Sequence, residues 1–367
     1  DACVLDNLSL NIAIFDCSNI GENAVLLTAT DVNGNSSSCT ATVTVEDNVA
    51  PEAICQNATV QLAANGVGTL TAAQVDGGST DACGLDGFSL SQASFGCGDI
   101  GIQTVTLTVT DVNGNSSSCD AEVTVEDNLT PTTLCQDVTV QLDDSGTATL
   151  TAAQVDNGSN DACGLAGLSL STESFGCEDV GENPVTLTAT DTHGNSSTCT
   201  ATVTVEDNVA PQALCQSITV QLDAAGNGSL AAAQIDNGSN DACPYGPVPG
   251  GLDNLSLDIT AFGCDAVGQN NVVLTVTDVN GNSSTCTAVV TVEDNVAPQA
   301  LCQNVTVQLD GSGTGQLTPE EVNAESEDAC GLGDFTLSGN VFDCDDVGTQ
   351  IVTLTVTDVN GNSDSCT

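Results

Sequence analysis

The sequence predicts an all-β fold made of tandem β-sandwich modules, each stapled by two disulfides and strung as beads along a fibre. Three observations predict it. One block of sequence recurs at near-constant spacing, the cysteines keep fixed places within each recurrence, and apolar residues alternate with threonine in short runs.

The recurrence sets the architecture, because a fixed period of this length marks a repeat array. The block TVTVEDNVAP at 42–51 returns as VTVEDNLTP (123–131), TVTVEDNVAP (202–211) and VTVEDNVAP (290–298). Cys55, Cys135, Cys215 and Cys302 open successive units, at spacings of 80, 80 and 87 residues. The longer spacing comes from an insert around Tyr245-Gly-Pro-Val-Pro-Gly, between Cys243 and Leu252. The expected domains are a partial module at 1–47, whole modules at 48–127, 128–207 and 208–294 (with the insert at 244–250), and a module at 295–367 lacking most of its last strand. Both ends are expected to fall inside modules, as in a window on a longer array.

A module of this size buries a modest core. Aromatic residues are 2% of the chain and Trp and Met are absent, so Val, Leu, Ile and Ala must fill it. The chain has 50 Asp plus Glu and no Lys or Arg, for a net charge of −50. That excludes the basic surface that nucleic acid requires and disfavours anionic lipid. Self-repulsion of this order destabilises compact states unless cations screen it, so divalent metal ions are the expected partners. Without Lys or Arg there is no trypsin site, and without Lys no Lys–Asn isopeptide cross-link. Disorder, the usual reading of so acidic a chain, is opposed by 40% apolar residues in strict patterns. No apolar run is long enough to span a bilayer.

Nineteen cysteines occur, four per complete unit. None forms the close C-x2-C pair that favours zinc, so disulfides and an oxidising, extracellular compartment are expected. In a sandwich whose termini lie at opposite ends, the first and last strands both start at the top. Cys55 precedes the first and Cys119 begins the last. The expected bridges are therefore Cys55–Cys119, Cys135–Cys199, Cys215–Cys286 and Cys302–Cys366, with local bridges Cys3–Cys17, Cys83–Cys97, Cys163–Cys177, Cys243–Cys264 and Cys330–Cys344. Cys39 is left over. A Cys39–Cys55 bridge is disfavoured, since a strand of about 7 residues separates them by more than roughly 20 Å. Loop closure is worth roughly 4 kcal/mol for a long bridge and about 3 for a short one.

The clearest strand is Thr104-Val-Thr-Leu-Thr-Val-Thr-Asp111, with Val105, Leu107 and Val109 on one face. Period two with β-branched residues marks a half-buried strand. Ala121, Val123 and Val125 continue the pattern in the last strand, and Val138, Val140 and Leu142 in the first strand of the next unit. Asp111-Val-Asn-Gly-Asn115 reads as the turn between. Further strands are expected at 68–75 and near Phe88–Leu90, although Leu70-Thr-Ala-Ala-Gln-Val75 also carries a weak signal for one helical turn. Phe15, Phe95, Phe175, Phe262 and Phe342 each precede a cysteine by two places and are expected core anchors. Six or seven short strands per unit point to an immunoglobulin-like sandwich.

Together these landmarks resemble the hyalin repeat (HYR) family of immunoglobulin-like modules. The matching features are Asp81-Ala-Cys-Gly84, Phe95 to Gly101, the TVTLTVTD-x-NGN run from Thr104 to Cys119, and the junction from Val125 to Cys135. The likeness extends to the repeat-rich surface adhesins of gliding Bacteroidetes-type bacteria. It implies an extracellular, cell-surface, adhesive role. Gln56 and Gln136 stand where the family usually has proline after the first cysteine.

Acidic and amide residues recur in three places per unit: the linker, the loop before the second cysteine, and the turn before the last strand. For the first junction these are Glu46, Asp47 and Asn48, then Asp76 and Asp81, then Asp111, Asn113 and Asn115. The next has Glu126, Asp127, Asn128, Asp156, Asp161, Asp191 and Asn195. The third has Glu206, Asp207, Asp236, Asp241, Asp278, Asn280 and Asn282, and the last Glu293, Asp294 and Asp358. In the sandwich topology all three clusters meet at the incoming linker. Calcium takes six to eight oxygens from carboxylates, amides and carbonyls, and the junction resembles the calcium-rigidified linker of cadherins. Calcium is the expected cofactor. The bland reading keeps D-x-N-G-N as a hairpin turn and the acids as a solvated face.

No catalytic set is expected. His193 replaces the asparagine found at Asn113 and Asn280 and reads as a surface-turn variant. A single histidine cannot supply a recurring triad. Asp144-Ser-Gly146 lacks the second copy an aspartic protease needs. Paired carboxylates for glycoside hydrolysis lack aromatic sugar platforms. Sequons such as Asn57-Ala-Thr and Asn128-Leu-Thr matter only in a glycosylating source. Two roles remain as expectations: a calcium-stiffened stalk or filament of additive repeats, alone or joined by other copies, or a surface-binding module using loops such as 244–250.

Overall fold

The computed structural model describes residues 4–367. The chain divides into two compact units, one comprising residues up to 137 with 151–171 and 184–201, the other 138–150, 172–183 and 202–367. The fold is all-β, a succession of small sandwich-like domains.

In the first unit residues 48–127 show the design. A four-stranded sheet has the order Ala58–Gln61, Ser116–Glu126, Gly101–Asp111, Leu85–Leu90. Val67–Thr69 and Ser94–Gly96 form a two-stranded ribbon. Alternation in the long strands puts Val105, Leu107, Val109, Ala121, Val123 and Val125 into one core with Val60, Leu70, Val75 and Phe95. The first strand lies parallel to the end of the last, Ala58 opposite Val123 and Gln61 opposite Glu126. Both strands thus start at the same end, as the placement of Cys55 and Cys119 requires. Upstream, Leu5–Leu10, Gly21–Asp31 and Ser36–Val45 make a three-stranded antiparallel sheet.

In the second unit residues 208–294 have the same plan. Ile218–Gln221, Ser283–Glu293, Gly268–Asp278 and Leu252–Leu257 form the sheet, and Val220, Ile235, Leu252, Phe262 and Leu274 are among the core residues. A smaller core in 295–367 holds Leu317, Val322, Leu354 and Val356. Of the recurring phenylalanines, Phe95, Phe175 and Phe262 are buried, whereas Phe15 and Phe342 are half-buried.

The strand expected at 68–75 is divided. It ends at Thr69, and Ala72–Val75 is a helical turn. The cause is the T-x-x-Q capping pattern: the Thr71 N–H donates to Gln74 Oε1 at 2.7 Å. The turn drives Val75 fully into the core.

Eight disulfides occur among the described residues. Four stay within a repeat and match the expected long bridges: Cys55–Cys119, Cys135–Cys199, Cys215–Cys286 and Cys302–Cys366. The local bridges are corrected. In place of Cys83–Cys97, Cys163–Cys177, Cys243–Cys264 and Cys330–Cys344, the structure joins Cys17–Cys83, Cys97–Cys163, Cys177–Cys243 and Cys264–Cys330, each from one repeat to the next. The physical reason is strand length: Leu85–Leu90 separates Cys83 from Cys97, and six residues at about 3.3 Å each place them roughly 20 Å apart. Cys3 lies outside the described residues, but Cys17 is bonded to Cys83, so the expected Cys3–Cys17 bridge is also overturned. Cys39 and Cys344 are free and exposed. Each of the three middle repeats therefore carries one internal staple and shares its other two cysteines with its neighbours.

The inter-repeat bridge rests on a hairpin glycine. Gly146 has φ +72, and a Cβ there would meet Cys177 Sγ at 2.7 Å. Asp143 closes the same hairpin, its Oδ1 accepting from Ser145 N–H and Oγ–H and from Thr147 N–H. Those bonds, the Ser145 hydroxyl first, lower its pKa to about 2, and Asp310 behaves likewise through Ser312. A folded pKa below the unfolded one stabilises the fold above the ordinary carboxylate value and loses that contribution as pH falls toward about 2. Carboxyl NMR titration is expected to show Asp143 and Asp310 still ionised at pH 3, where exposed aspartates are largely protonated.

Candidate metal centres at the repeat junctions

Each junction is organised by one aspartate of the linker. Along an extended segment successive side chains point to opposite sides, so Asp127 turns inward and Glu126 and Asn128 outward. Asp127 is 8% exposed, Asp207 5% and Asp294 6%, and Asp47 is half-buried. Glu126 and Asn128 instead engage Gln61 of the first strand, at 2.6 and 2.8 Å. Glu206 and Glu293 engage Gln141 and Gln221 in the same way, and Asn48 binds Glu46. Glu126, Glu206, Glu293, Asn48 and Asn128 are thus engaged apart from the inward carboxylates.

The Asp-Ala-Cys turn supplies the second carboxylate. Asp47 with Asp81, Asp127 with Asp161, Asp207 with Asp241, and Asp294 with Asp328 each bring ligand oxygens within 4.8 Å of one another and of the adjoining cysteine sulfur. Those cysteines, Cys83, Cys163, Cys243 and Cys330, are in disulfides and offer no thiolate. One oxygen of the turn aspartate is committed locally: Asp81 Oδ1 accepts the Cys83 N–H at 2.7 Å, and Asp161 and Asp241 do the same with Cys163 and Cys243. Asp328 was not among the expected ligands, although Asp328-Ala-Cys-Gly331 repeats the motif that marks Asp81.

The other loop aspartates serve their own turns. Asp76 Oδ1 accepts from the Ser79 N–H and hydroxyl at 2.9 and 2.7 Å, and Asp156 and Asp236 accept from Ser159 and Ser239. The Ser79 hydroxyl, then its N–H, hold Asp76 below the ordinary carboxylate range. The corresponding Asn323 makes the same bonds to Ser326 without charge, so this position is a turn cap.

Asp111, Asp191, Asp278 and Asp358 are buried at the hairpin before the last strand. Asp111 Oδ1 accepts the N–H groups of Asn113 and Asn115, both at 2.8 Å, and Oδ2 accepts Asn115 Nδ2. Burial pushes Asp111 up, but these donors outweigh it and its pKa lies low. Gly114, at φ +94, lets the turn close. Thus D-x-N-G-N is a hairpin turn, as the bland reading has it. It also reaches the linker: Asn115, Asn195 and Asn282 donate through Nδ2 to the carbonyls of Asp47, Asp127 and Asp207, each at 3.0 Å. Asn362 and Asn360, neither in the expected set, reach Asp294 O and Oδ2.

The electrostatics are those of uncompensated buried charge. Among the described residues the buried side-chain oxygens without a hydrogen-bond partner are Oδ2 of Asp127, Asp207 and Asp241. Burial, then repulsion from Asp207 and Asp278 against one stabilising Cys243 N–H, raises the pKa of Asp241. Two unpaired carboxylate oxygens close together are costly in low dielectric, and the chain has no Lys or Arg to neutralise them. Hard oxygen donors with carbonyls and water nearby suit Ca²⁺.

No protein-family model matches the sequence, and no curated protein matches it. Similar solved structures include the extracellular cadherin domains 1–4 of protocadherin gamma B7, with TM-score 0.28 and 14% identity over 74% of this chain and 83% of that one. Others are the human desmocollin-1 ectodomain (TM-score 0.23, 12% identity, 96% and 86% coverage) and sidekick-1 immunoglobulin domains 1–5 (0.28, 9%, 77% and 68%).

Proposed function

We propose that this chain is a non-catalytic, extracellular structural and adhesive repeat region, in which calcium bound at the junctions stiffens a disulfide-linked stalk or filament. One observation carries the reading. Asp207 and Asp241 hold two buried, unpartnered oxygens in a chain without a basic side chain. A divalent ion converts that repulsion into a bond between a linker and the next repeat's turn, and the adjacent Cys177–Cys243 bridge holds the turn in place. The disulfides need an oxidising compartment. No helix among the described residues is long and apolar enough to cross a membrane. The domain limits proposed above, 48–127, 128–207 and 208–294, make each acidic centre the boundary between two repeats.

Titration of the chelator-stripped chain by calorimetry is expected to show calcium uptake, and calcium is expected to raise the unfolding midpoint. Absence of both would sink the calcium reading.

A second reading has its own observation. A groove of about 430 Å³ is lined by Thr147, Phe175, Glu178, Asp179, Pro244 and Tyr245, placing the insert and the chain's one tyrosine beside the Cys177–Cys243 bridge. It is the candidate contact for a surface glycan or protein. Deletion of 244–250 followed by an attachment assay separates this role from that of a plain spacer.

A further inference from the structure

We propose that the two classes of disulfide act together as a two-railed covalent ladder. It carries tension outside the sheets and keeps the two ends joined when the main chain is cut once. The inference deepens the stalk reading, but it rests on disulfide connectivity and can survive the failure of the calcium reading.

The starting point is overlap. The inter-repeat bridges Cys17–Cys83, Cys97–Cys163, Cys177–Cys243 and Cys264–Cys330 each close 66 residues. The internal bridges Cys55–Cys119, Cys135–Cys199 and Cys215–Cys286 each begin inside one of those loops and end inside the next. Cys302–Cys366 begins inside the last of them. Every peptide bond between Cys17 and Cys366 is therefore spanned by at least one bridge. Both partners of an inter-repeat bridge sit in capped turns. Asp81 Oδ1 accepts the Cys83 N–H at 2.7 Å, and Cys97 opens a helical turn whose preceding Gly96 N–H donates to Asp99 Oδ2 at 2.8 Å.

Two covalent routes follow from this connectivity. One joins the inter-repeat bridges through short stretches, 14 residues from Cys83 to Cys97 and 14 from Cys163 to Cys177. The other joins the internal bridges through the linkers, 16 residues from Cys119 to Cys135 and 16 from Cys199 to Cys215. The insert falls on the first route, where Cys243 to Cys264 spans 21 residues. The strands Ala58–Gln61, Val67–Thr69 and Gly101–Asp111 lie on the segments that connect one route with the other. Tension follows the shortest covalent route, so hydrogen bonds broken in those segments cannot lengthen the molecule. A repeat drawn out as a free chain would reach roughly 280 Å, whereas either route caps it at about 60 Å, bridge included.

The test exploits the absence of Lys and Arg, since one added arginine is then the chain's single trypsin site. Val49 is 70% exposed in a linker, and Ala93 is exposed in the loop between Leu85–Leu90 and Ser94–Gly96. The whole chain carrying Val49→Arg or Ala93→Arg is cut in chelator, with free thiols alkylated and mild urea present to open the site. Each should stay one species on a denaturing gel without reductant and become two pieces with it. Adding C17S and C83S to V49R should part the pieces without reductant, and adding C55S and C119S should do the same for A93R. A V49R or A93R chain that parts without reductant while its bridging cysteines are intact overturns the proposal. The cut V49R chain, held by its ends in an optical trap, should still bear load. It should stretch to no more than roughly 400 Å, about a third of the roughly 1,250 Å open to a reduced, uncut chain. Extension well past that limit before reductant is added also overturns the proposal. All of these readings are made without calcium, so a failed calcium titration removes the calcium reading and leaves this one standing.

Discussion

Replacing Cys55 and Cys119 together by serine should lower the stability of the 48–127 repeat by roughly 3–4 kcal/mol, whereas the same change at Cys97 and Cys163 should mainly uncouple that repeat from the next. The first bridge closes 64 residues between the start of the first strand and the start of the last, and loop entropy for that length is about 4 kcal/mol. It ties the two strands whose parallel pairing closes the sheet edge, so its loss opens the core around Val60 and Val123. The second bridge closes 66 residues but crosses the linker. Each repeat keeps its own core without it. What disappears is the constraint that makes neighbours unfold together, and a single cooperative transition should split. Hydrogen exchange read by mass spectrometry resolves this repeat by repeat, which circular dichroism cannot. Non-reducing digestion with aspartyl- and glutamyl-specific proteases should recover the Cys97 peptide joined to that of Cys163. A Cys83–Cys97 linkage in that digest would refute the inter-repeat ladder.

The strands and the long bridges were legible because both follow from rules local to one repeat. Alternation at Val105, Leu107 and Val109 predicts a half-buried strand wherever it occurs. The polarity argument that pairs Cys55 with Cys119 needs only the direction of the first and last strands. The other cysteines mislead because proximity in sequence is not proximity in space. Leu85–Leu90 is a strand, and the distance argument that excludes Cys39–Cys55 excludes Cys83–Cys97 as well. A signal was present: the insert lengthens the interval from Cys243 to Cys264 relative to Cys83 to Cys97, which a tight local bridge would resist. The acidic centres were half legible. Composition marks the linker, but only period two, which sends Asp127 inward and Glu126 outward, separates its residues. Asp76 and Asp111 share the residue type of a ligand, yet their neighbours Ser79 and Asn115 supply the donors that occupy them. In sequence His193 is a turn residue. It does sit in the turn, with its N–H on Asp191 at 2.8 Å; only the structure shows its ring reaching the next carboxylate.

The Asp207→Asn substitution should change sign with calcium. In chelator it should stabilise the 208–294 repeat by about 1–2 kcal/mol, the usual scale for relieving a buried polar group left unpaired. Asp207 Oδ1 accepts the Val209 N–H, a bond the amide oxygen keeps. The amide nitrogen then replaces Oδ2 and can donate to the unpaired Oδ2 of Asp241, so a repulsive pair becomes a hydrogen bond. In saturating calcium the order should reverse. An ion that binds only the folded state adds about 2.7 kcal/mol at one hundred times its dissociation constant, and the substitution removes a ligand charge that helps hold it. Chemical denaturation of both proteins, with chelator and with calcium, measures the four values needed. A variant less stable than wild type in both conditions would mean that Asp207 is a structural cap and the paired oxygens hold no ion. A crossing places the stability of the junction in the ion itself. The stiffness of the string would then follow the calcium concentration outside the cell, with no change in the fold of any repeat.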